Sequence, residues 1–179
     1  HSGNITMSGG TLAVGAYGEA NDGPYSGDAT LALSGSTTKI VVDNTNASNT
    51  ILVASNGSGS TATLDLTQGA ADAFTITRGN NLSSLAIGQA GTLDDGGRSE
   101  VKLNANQFNA LINTTGESGN GMNVVLAGNG VLQVPDGAGN TAGGTGSTAS
   151  LNTSQLQKIT DNAQANRTDI IYFNQGGRL

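Results

Sequence analysis

Acidic side chains are the main candidates for chemistry in this sequence. Asp94 and Asp95 are adjacent in LDDGG, Glu100 follows shortly afterwards, and Asp65 lies within LDL. Two carboxyl groups facing one another can hydrolyse a glycosidic bond. The alternative interpretation is structural, with Asp94 and Asp95 shaping a turn and Asp65 pointing outward from a strand. We favour the structural interpretation, because only 3% of the residues are aromatic and a sugar-binding groove usually offers aromatic platforms.

Other reactive or metal-binding groups are scarce. His1 is the only histidine and the chain contains no cysteine, so neither a Ser-His-Asp catalytic triad nor a zinc site is expected. The segments DNTNASN (43–49) and DDGGRSE (94–100) contain oxygen ligands without the regular acidic spacing of calcium-binding loops. We therefore predict no catalytic residues, no metal and no cofactor, and we expect that the chain is not an enzyme.

The charge and composition narrow the range of partners. The net charge is -6 and the seven lysines and arginines are scattered, so no basic patch is available for nucleic acid. No apolar run approaches the roughly 20 residues of a membrane-spanning helix. The chain is rich in glycine and low in charge, yet regular apolar doublets argue against disorder. We expect a folded protein with neither a nucleic-acid partner nor a membrane span.

Residues 1–90 are predicted to form a repetitive β-strand body. Apolar residues alternate with small or polar ones, and this period of two places one strand face inward. The short strands recur roughly every 10 to 13 residues, which is typical of a solenoid, a sandwich or a barrel. Small aliphatic side chains favour β-solenoid-like repeats, with a β-sandwich or jelly-roll as the alternative. The predicted strands are NITM (4–7), TLAV (11–14), ATLAL (29–33), KIVV (39–42), TILVA (50–54), ATLDL (62–66), AFTIT (73–77) and SLAI (84–87).

Residues 91–135 are predicted to be a β-rich region with one short helix. SEVKL (99–103) has the pattern of a strand, and NANQFNALINTTG (104–116) has apolar residues at helical spacing. MNVVLAGNGVLQVP (122–135) contains two further strands. The pair Asn129-Gly130 between them predicts a β-hairpin.

The C-terminal part divides into a linker and a helix. Residues 136–150 are rich in glycine and predict a flexible linker. Residues 151–179 have apolar and small residues at alternating steps of three and four, as in a coiled coil. Asn152 with Gln155, or Ser154 with Gln157, is suited to cap the start. The helix either docks on its own β body or oligomerises with its copies; we favour the homo-oligomer, with a trimer preferred over a dimer by analogy. The predicted interface consists of Leu156, Ile159, Ala163, Asn166, Ile170 and Phe173.

These segments resemble a known class of proteins. SGGTLAVG, GDATLALSGS and STATLDLTQG, followed by a Gly/Ser hinge and LQKITDNAQANRTDI, resemble the Gly/Thr/Asn-rich β segments and short coiled coils of phage fibres, tailspikes and head-decoration fibres. They are also similar to autotransporter adhesin passengers. The resemblance implies trimeric, virion-borne or extracellular rods that bind surfaces or glycans.

Three functions follow as hypotheses. The leading one is a structural and attachment protein, a homo-oligomeric fibre, spike or decoration subunit on the surface of a phage virion. A secreted bacterial surface adhesin or extracellular filament subunit is the alternative, and a polysaccharide-degrading enzyme of the tailspike type is the third. The expected partners are copies of the chain, other virion or cell-surface proteins and surface glycans.

Overall fold

The structure is a computed structural model that describes residues 1–15, 28–55, 60–77, 81, 83–88, 98–114, 122–127, 130–133, 148–150 and 171–174. The fold is mainly β, as predicted. One helix, α1 (Ala105–Thr114), is present in the described part. The strands are β1 (Ile5–Met7), β2 (Gly10–Val14), β3 (Ala29–Ser34), β4 (Ile40–Asp43), β5 (Asn49–Val53), β6 (Thr61–Gln68), β7 (Phe74–Thr77), β8 (Ser83–Ile87), β9 (Arg98–Lys102), β10 (Met122–Ala127), β11 (Gly130–Gln133), β12 (Thr148–Ser150) and β13 (Ile171–Asn174).

The strands form three parallel sheets. Sheet 1 has the order β1-β4-β7, sheet 2 the order β13-β10-β8-β5-β2, and sheet 3 the order β12-β11-β9-β6-β3. Each of the strands β1 to β6 therefore pairs with the strand three places later. Every described strand pair is parallel. A sandwich or jelly-roll is built from antiparallel strands, so this alternative disagrees with the described pairs.

Alternating burial explains why these segments become strands. In β4, Ile40 and Val42 are fully buried while Val41 between them is half-buried. Equivalent apolar residues of neighbouring strands lie in register, so that Ile51 of β5 is flanked by Leu12 and Leu85. Burying such rows removes apolar surface from water, which stabilises the fold by about 25 cal/mol for each Å² buried. The core is thus a set of stacked aliphatic rows that run across the sheets.

Helix α1 lies against β7, at the edge of sheet 1. Its N-terminus has a capping box in which the Gln107 amide donates to Asn104 Oδ1 and the Asn104 amide donates to Gln107 Oε1, both at 2.9 Å. Phe108 and Leu111 are buried in the core. The side-chain amide of Gln107 also donates to the backbone oxygens of Leu66 and Ala70. The predicted helix is confirmed, and it covers the end of a sheet.

The predicted β-hairpin at Asn129-Gly130 is wrong. Strands β10 and β11 exist, but they do not pair with one another. Strand β10 pairs with β8 and β13 in sheet 2, whereas β11 pairs with β9 and β12 in sheet 3. Local turn propensity is overridden here, because parallel pairing with the preceding strands buries Val124 and Leu132 completely.

Two predictions for the C-terminal part need correction. Residues 171–174 are strand β13 and not helix, and Phe173 lies at the register position beside Leu126 of β10. Residues 148–150, at the end of the predicted linker, form β12 beside β11. Both segments extend existing sheets and gain backbone hydrogen bonds there. A short isolated helix of polar sequence is, by contrast, only marginally stable in water. Residues 151–170, which contain the other residues of the predicted interface, lie outside the described residues.

The sheets also continue past the boundary predicted at residue 90. Strand β9 pairs with β6, and β10 pairs with β8. Residues on both sides of the boundary therefore belong to the same sheets.

Glycine is required at one corner by close approach of the backbone. Gly15 follows β2 with a φ of +104°, and a Cβ atom there would overlap the carbonyl oxygen of Ala54 and lie 2.7 Å from the Cβ of Ala62. Gly10 has a similar φ of +106°, but a Cβ there would meet nothing within 4 Å. The two glycines share the backbone conformation and differ in the space around them.

This pair separates backbone strain from steric overlap. We expect Gly15→Ala to lower the free energy of unfolding by more than about 2 kcal/mol, because strain and overlap add. Gly10→Ala should cost about 1 kcal/mol from strain alone. Urea unfolding followed by circular dichroism measures both. Equal losses for the two variants would contradict the close approach at Gly15.

Candidate functional site

Three charged side chains form a cluster on the outer face of sheet 3. Glu100 Oε2 lies 2.9 Å from Arg98 Nε, and Glu100 Oε1 lies 3.1 Å from Lys102 Nζ. The Glu100 side chain is only 7% exposed, whereas that of Lys102 is 36% exposed. We name Arg98, Glu100 and Lys102 the charged cluster. A buried carboxylate needs such partners, because an unpaired buried charge costs several kcal/mol.

The register places polar residues beside the charged cluster. Thr63 of β6 pairs with Glu100, and Asp65 pairs with Lys102. Arg98 Nε is buried and has no aligned hydrogen-bond acceptor, although Glu100 Oε2 is near, so that contact is an ion pair without a directed hydrogen bond. Hydroxyl, carboxylate and ammonium groups therefore lie side by side in sheet 3, where Thr63 and Glu100 are buried and Lys102 is half-exposed.

The acidic residues singled out in the sequence hold the local structure. Both oxygens of Glu100 face cations, as described above. Asp65 Oδ1 accepts hydrogen bonds from the amide of Thr67 at 3.0 Å and from its hydroxyl at 2.6 Å. Asp94 and Asp95 lie outside the described residues. The structure therefore does not bring a pair of unengaged carboxylates together on the described outer face of sheet 3.

A group of buried polar side chains lies at the corner between sheets 1 and 2. The Asn49 side-chain oxygen accepts from the amide of Gly9 at 2.7 Å, and its side-chain nitrogen donates to the Asp43 backbone oxygen at 2.9 Å and to Asn44 Oδ1 at 3.2 Å. The hydroxyl of Ser83 bonds to Asn44 Oδ1 and accepts from the Asn49 amide at 2.8 Å. We name Asn44, Asn49 and Ser83 the asparagine corner. All three are 1% exposed or less.

Three serines form hydrogen bonds at the corner between sheets 2 and 3. The Ser55 amide donates to Ser99 Oγ at 2.8 Å, and the Ser55 hydroxyl donates to the Ser60 backbone oxygen at 2.9 Å. These bonds satisfy backbone groups that are shielded from water. Like the asparagine corner, this group has the contacts of a structural element.

Two exposed aspartates have lowered pKa values. Hydrogen bonds from the hydroxyl and then the amide of Thr45 hold the pKa of Asp43 below its ordinary value. The Lys39 ammonium, 2.8 Å from Asp72 Oδ2, lowers the pKa of Asp72. Because both values are lowered in the folded state, the resulting stabilisation is present at neutral pH and is lost as the pH falls through them. Both groups are at the surface, so this effect is small.

The predicted oligomer interface is outside the described part of the chain except for Phe173, which is in β13. Among the described residues, no group of three histidine, cysteine or acidic side chains is placed to hold a metal ion. Within the same residues, no helix has the length and hydropathy needed to cross a membrane.

Sequence reasoning missed the residues that close the corners. The capping box of Asn104 and Gln107 was available as a local pattern, an asparagine followed three residues later by glutamine before an apolar run. The asparagine corner had no such signal. Asn44 and Asn49 are polar residues in a turn-like segment, and only strand pairing brings Ser83 to them.

We expect the asparagine corner to be important for stability. Asn49→Ala leaves the Gly9 amide and the Asp43 carbonyl without their partner and should lower the free energy of unfolding by about 2 to 3 kcal/mol. Asn46→Ala is the matched control, because exposed Asn46 makes one 3.3 Å bond to Thr45, and its effect should stay within about 0.5 kcal/mol. Chemical unfolding compares the two. Similar values would show that water replaces the Asn49 side chain at no cost.

Comparison of the chain with protein-family models, with curated proteins and with solved structures gave no match. Assignment of a function therefore depends on the residues and geometry described above: a parallel β stack, polar corners that close it, and one charged cluster on an outer face.

Proposed function

We propose that the chain is a structural and attachment protein, a homo-oligomeric fibre, spike or decoration subunit of a phage virion that is located on the virion surface. The observation that carries this proposal is the stack of parallel strands in which each of β1 to β6 pairs with the strand three places later. Such a stack gains length without any change in its cross-section, which suits a rod. The resemblance of the repeated segments to phage fibres supports the same assignment.

We infer that the three sheets are the faces of a β-solenoid. The regular order of sheets 1, 2 and 3 through β1 to β9 supports this, since one circuit of the chain visits each sheet once. Helix α1 then occupies the position of the next sheet 1 strand, because it lies against β7 and precedes β10 of sheet 2. In repeat proteins each repeat contacts only the repeats next to it, so the structure grows along one direction.

Self-association is part of the proposal, with a trimer preferred. The seam Leu156, Ile159, Ala163, Asn166 and Ile170 is the proposed contact between helices. A second support is the outer face of sheet 2, whose register rows contain Thr11, Thr50 and Ser84 and then Ala13, Leu52 and Ala86. We name these six residues the uncharged face. Contact between copies there would require no charge to lose its hydration.

Surface glycans are the proposed ligands. The outer face of sheet 3 supports this, because the half-exposed Asp65 and Lys102, which are register partners, are suited to exchange hydrogen bonds with sugar hydroxyls. A secreted bacterial adhesin would use the same faces, so the location of the protein decides between the two functions.

Immunogold electron microscopy tests the location. Antibodies raised against the purified chain should label phage particles from a producing culture, at one repeated position on the particle. Particles of an unrelated phage and pre-immune serum are the controls. Label on the bacterial cell envelope with bare virions would contradict the virion assignment and support the adhesin.

The assembly is tested by a change in the seam. Ile159→Asp places a charge in an apolar contact and should convert the oligomer to a monomer, while the circular dichroism of the β sheets is retained. Sedimentation velocity measures the mass.

Leu52→Lys, on the uncharged face, distinguishes the two contacts. If Leu52→Lys yields monomers and Ile159→Asp does not, the copies associate through sheet 2 and the proposed helical seam is wrong. A wild-type chain that sediments as a monomer would contradict self-association altogether.

A further inference from the structure

Strand β7 differs from the two strands that follow it in the chain. Strand β8 pairs with β5 and β10, and β9 pairs with β6 and β11, so each has a strand on both sides. Among the described strands, β7 pairs only with β4. We name the side of β7 that faces away from β4 the far edge.

The backbone of β7 directs two residues to the far edge. Ile40 of β4 is the register partner of Phe74, and its amide donates to the Ala73 carbonyl oxygen at 2.9 Å. In a parallel ladder such a residue bonds to the two residues that flank its partner, here Ala73 and Thr75. Because alternate residues of a strand face opposite edges, the backbone groups of Phe74 and Ile76 face the far edge.

Helix α1 covers the far edge of β7. The helix lies against β7, and Phe108 and Leu111, one turn apart, are at most 1% exposed. The buried side chain of Gln107 donates to the backbone oxygens of Leu66 and Ala70, at the corner between β6 and β7. The backbone groups of a helix bond within the helix, so α1 covers the edge without continuing the ladder.

The sequence of β7 offers no other protection against strand addition. This strand, FTIT, contains no proline and no charged residue. Proline and lysine are common in natural edge strands because they discourage pairing with another chain, and a covering helix has the same effect. The protection of the far edge therefore depends on α1.

We propose that α1 is a protective cap that keeps β7 from pairing with β7 of a second copy. When α1 detaches, the far edges of two copies pair antiparallel around a two-fold axis perpendicular to the sheet, which keeps both apolar faces on the same side. With Thr75 opposite its copy, Phe74 lies opposite Ile76 of the second copy, and both amides gain acceptors. This inference does not depend on the proposed virion function, because it concerns strand pairing alone.

The test breaks α1 with proline. Ala110→Pro removes a hydrogen bond from the helix interior and should detach the helix. Ala105→Pro is the matched control, because proline is tolerated at the first helical position. Sedimentation velocity at increasing concentration measures the mass. Hydrogen exchange of the Phe74 and Ile76 amides, followed by NMR, measures strand pairing, with the Ile51 amide as a check that sheet 2 stays folded.

We expect the mass of Ala110→Pro to rise with concentration beyond that of the wild type, while Ala105→Pro keeps the wild-type mass. In the associated state, exchange of the Phe74 and Ile76 amides should be about tenfold slower than in the dilute variant, as expected for one added hydrogen bond each. A variant that keeps the wild-type mass at every concentration would overturn the proposal. Growth in mass without slower exchange at these amides would also overturn it, because exposed apolar surface would then hold the copies together.

Gln107→Ala is a milder second variant for the case that proline also loosens sheet 2. It removes the hydrogen bonds to the Leu66 and Ala70 oxygens and leaves the helix without proline. Asn106→Ala is its control, because Asn106 is exposed in the same turn of α1. We expect the same association and the same slower exchange from Gln107→Ala, at higher concentration, and neither from Asn106→Ala. Identical behaviour of these two variants would contradict the role of α1 as a cap.

Discussion

In-register stacking of equivalent residues is the constraint on which the rest of this structure depends. Each inward aliphatic side chain is covered by the residues at the same position in neighbouring strands, as Ile51 is by Leu12 and Leu85. Parallel ladders supply the backbone bonds, and small aliphatic residues fill the interior with few aromatic rings. Burial of any one strand therefore requires the presence of the next one. This dependence accounts for the complete burial of Ile40, Ile51 and Leu64 and for the half-burial of their outer neighbours Ile5, Leu12 and Leu31.

The corners are the second consequence of stacking. The chain must turn between sheets while its backbone groups remain close to the core, and these groups need partners away from water. Asn49 meets this need with both ends of its side-chain amide, and Ser55 does so with its hydroxyl. Where no side chain fits, glycine occupies the position, as at Gly15. Asn49 and Ser55 therefore have structural roles.

The outer faces are then available for contact with other molecules. Sheet 2 presents an uncharged face and sheet 3 a charged cluster, so the two faces suit different partners. Glu100 is engaged by Arg98 and Lys102. An uncharged face on one sheet and charged groups on another are consistent with the proposed attachment role.

The sequence by itself determined the local elements. Period-two alternation located the strands β1 to β9, and helical spacing around Phe108 located α1, because both patterns depend on near neighbours in the chain. The tertiary structure alone decided which strands pair. Asn129-Gly130 favours a hairpin locally, but stacking on β8 and β9 buries Val124 and Leu132 and prevails. The partner of Asn49 was equally hidden, since Ser83 reaches it only through strand pairing across many residues.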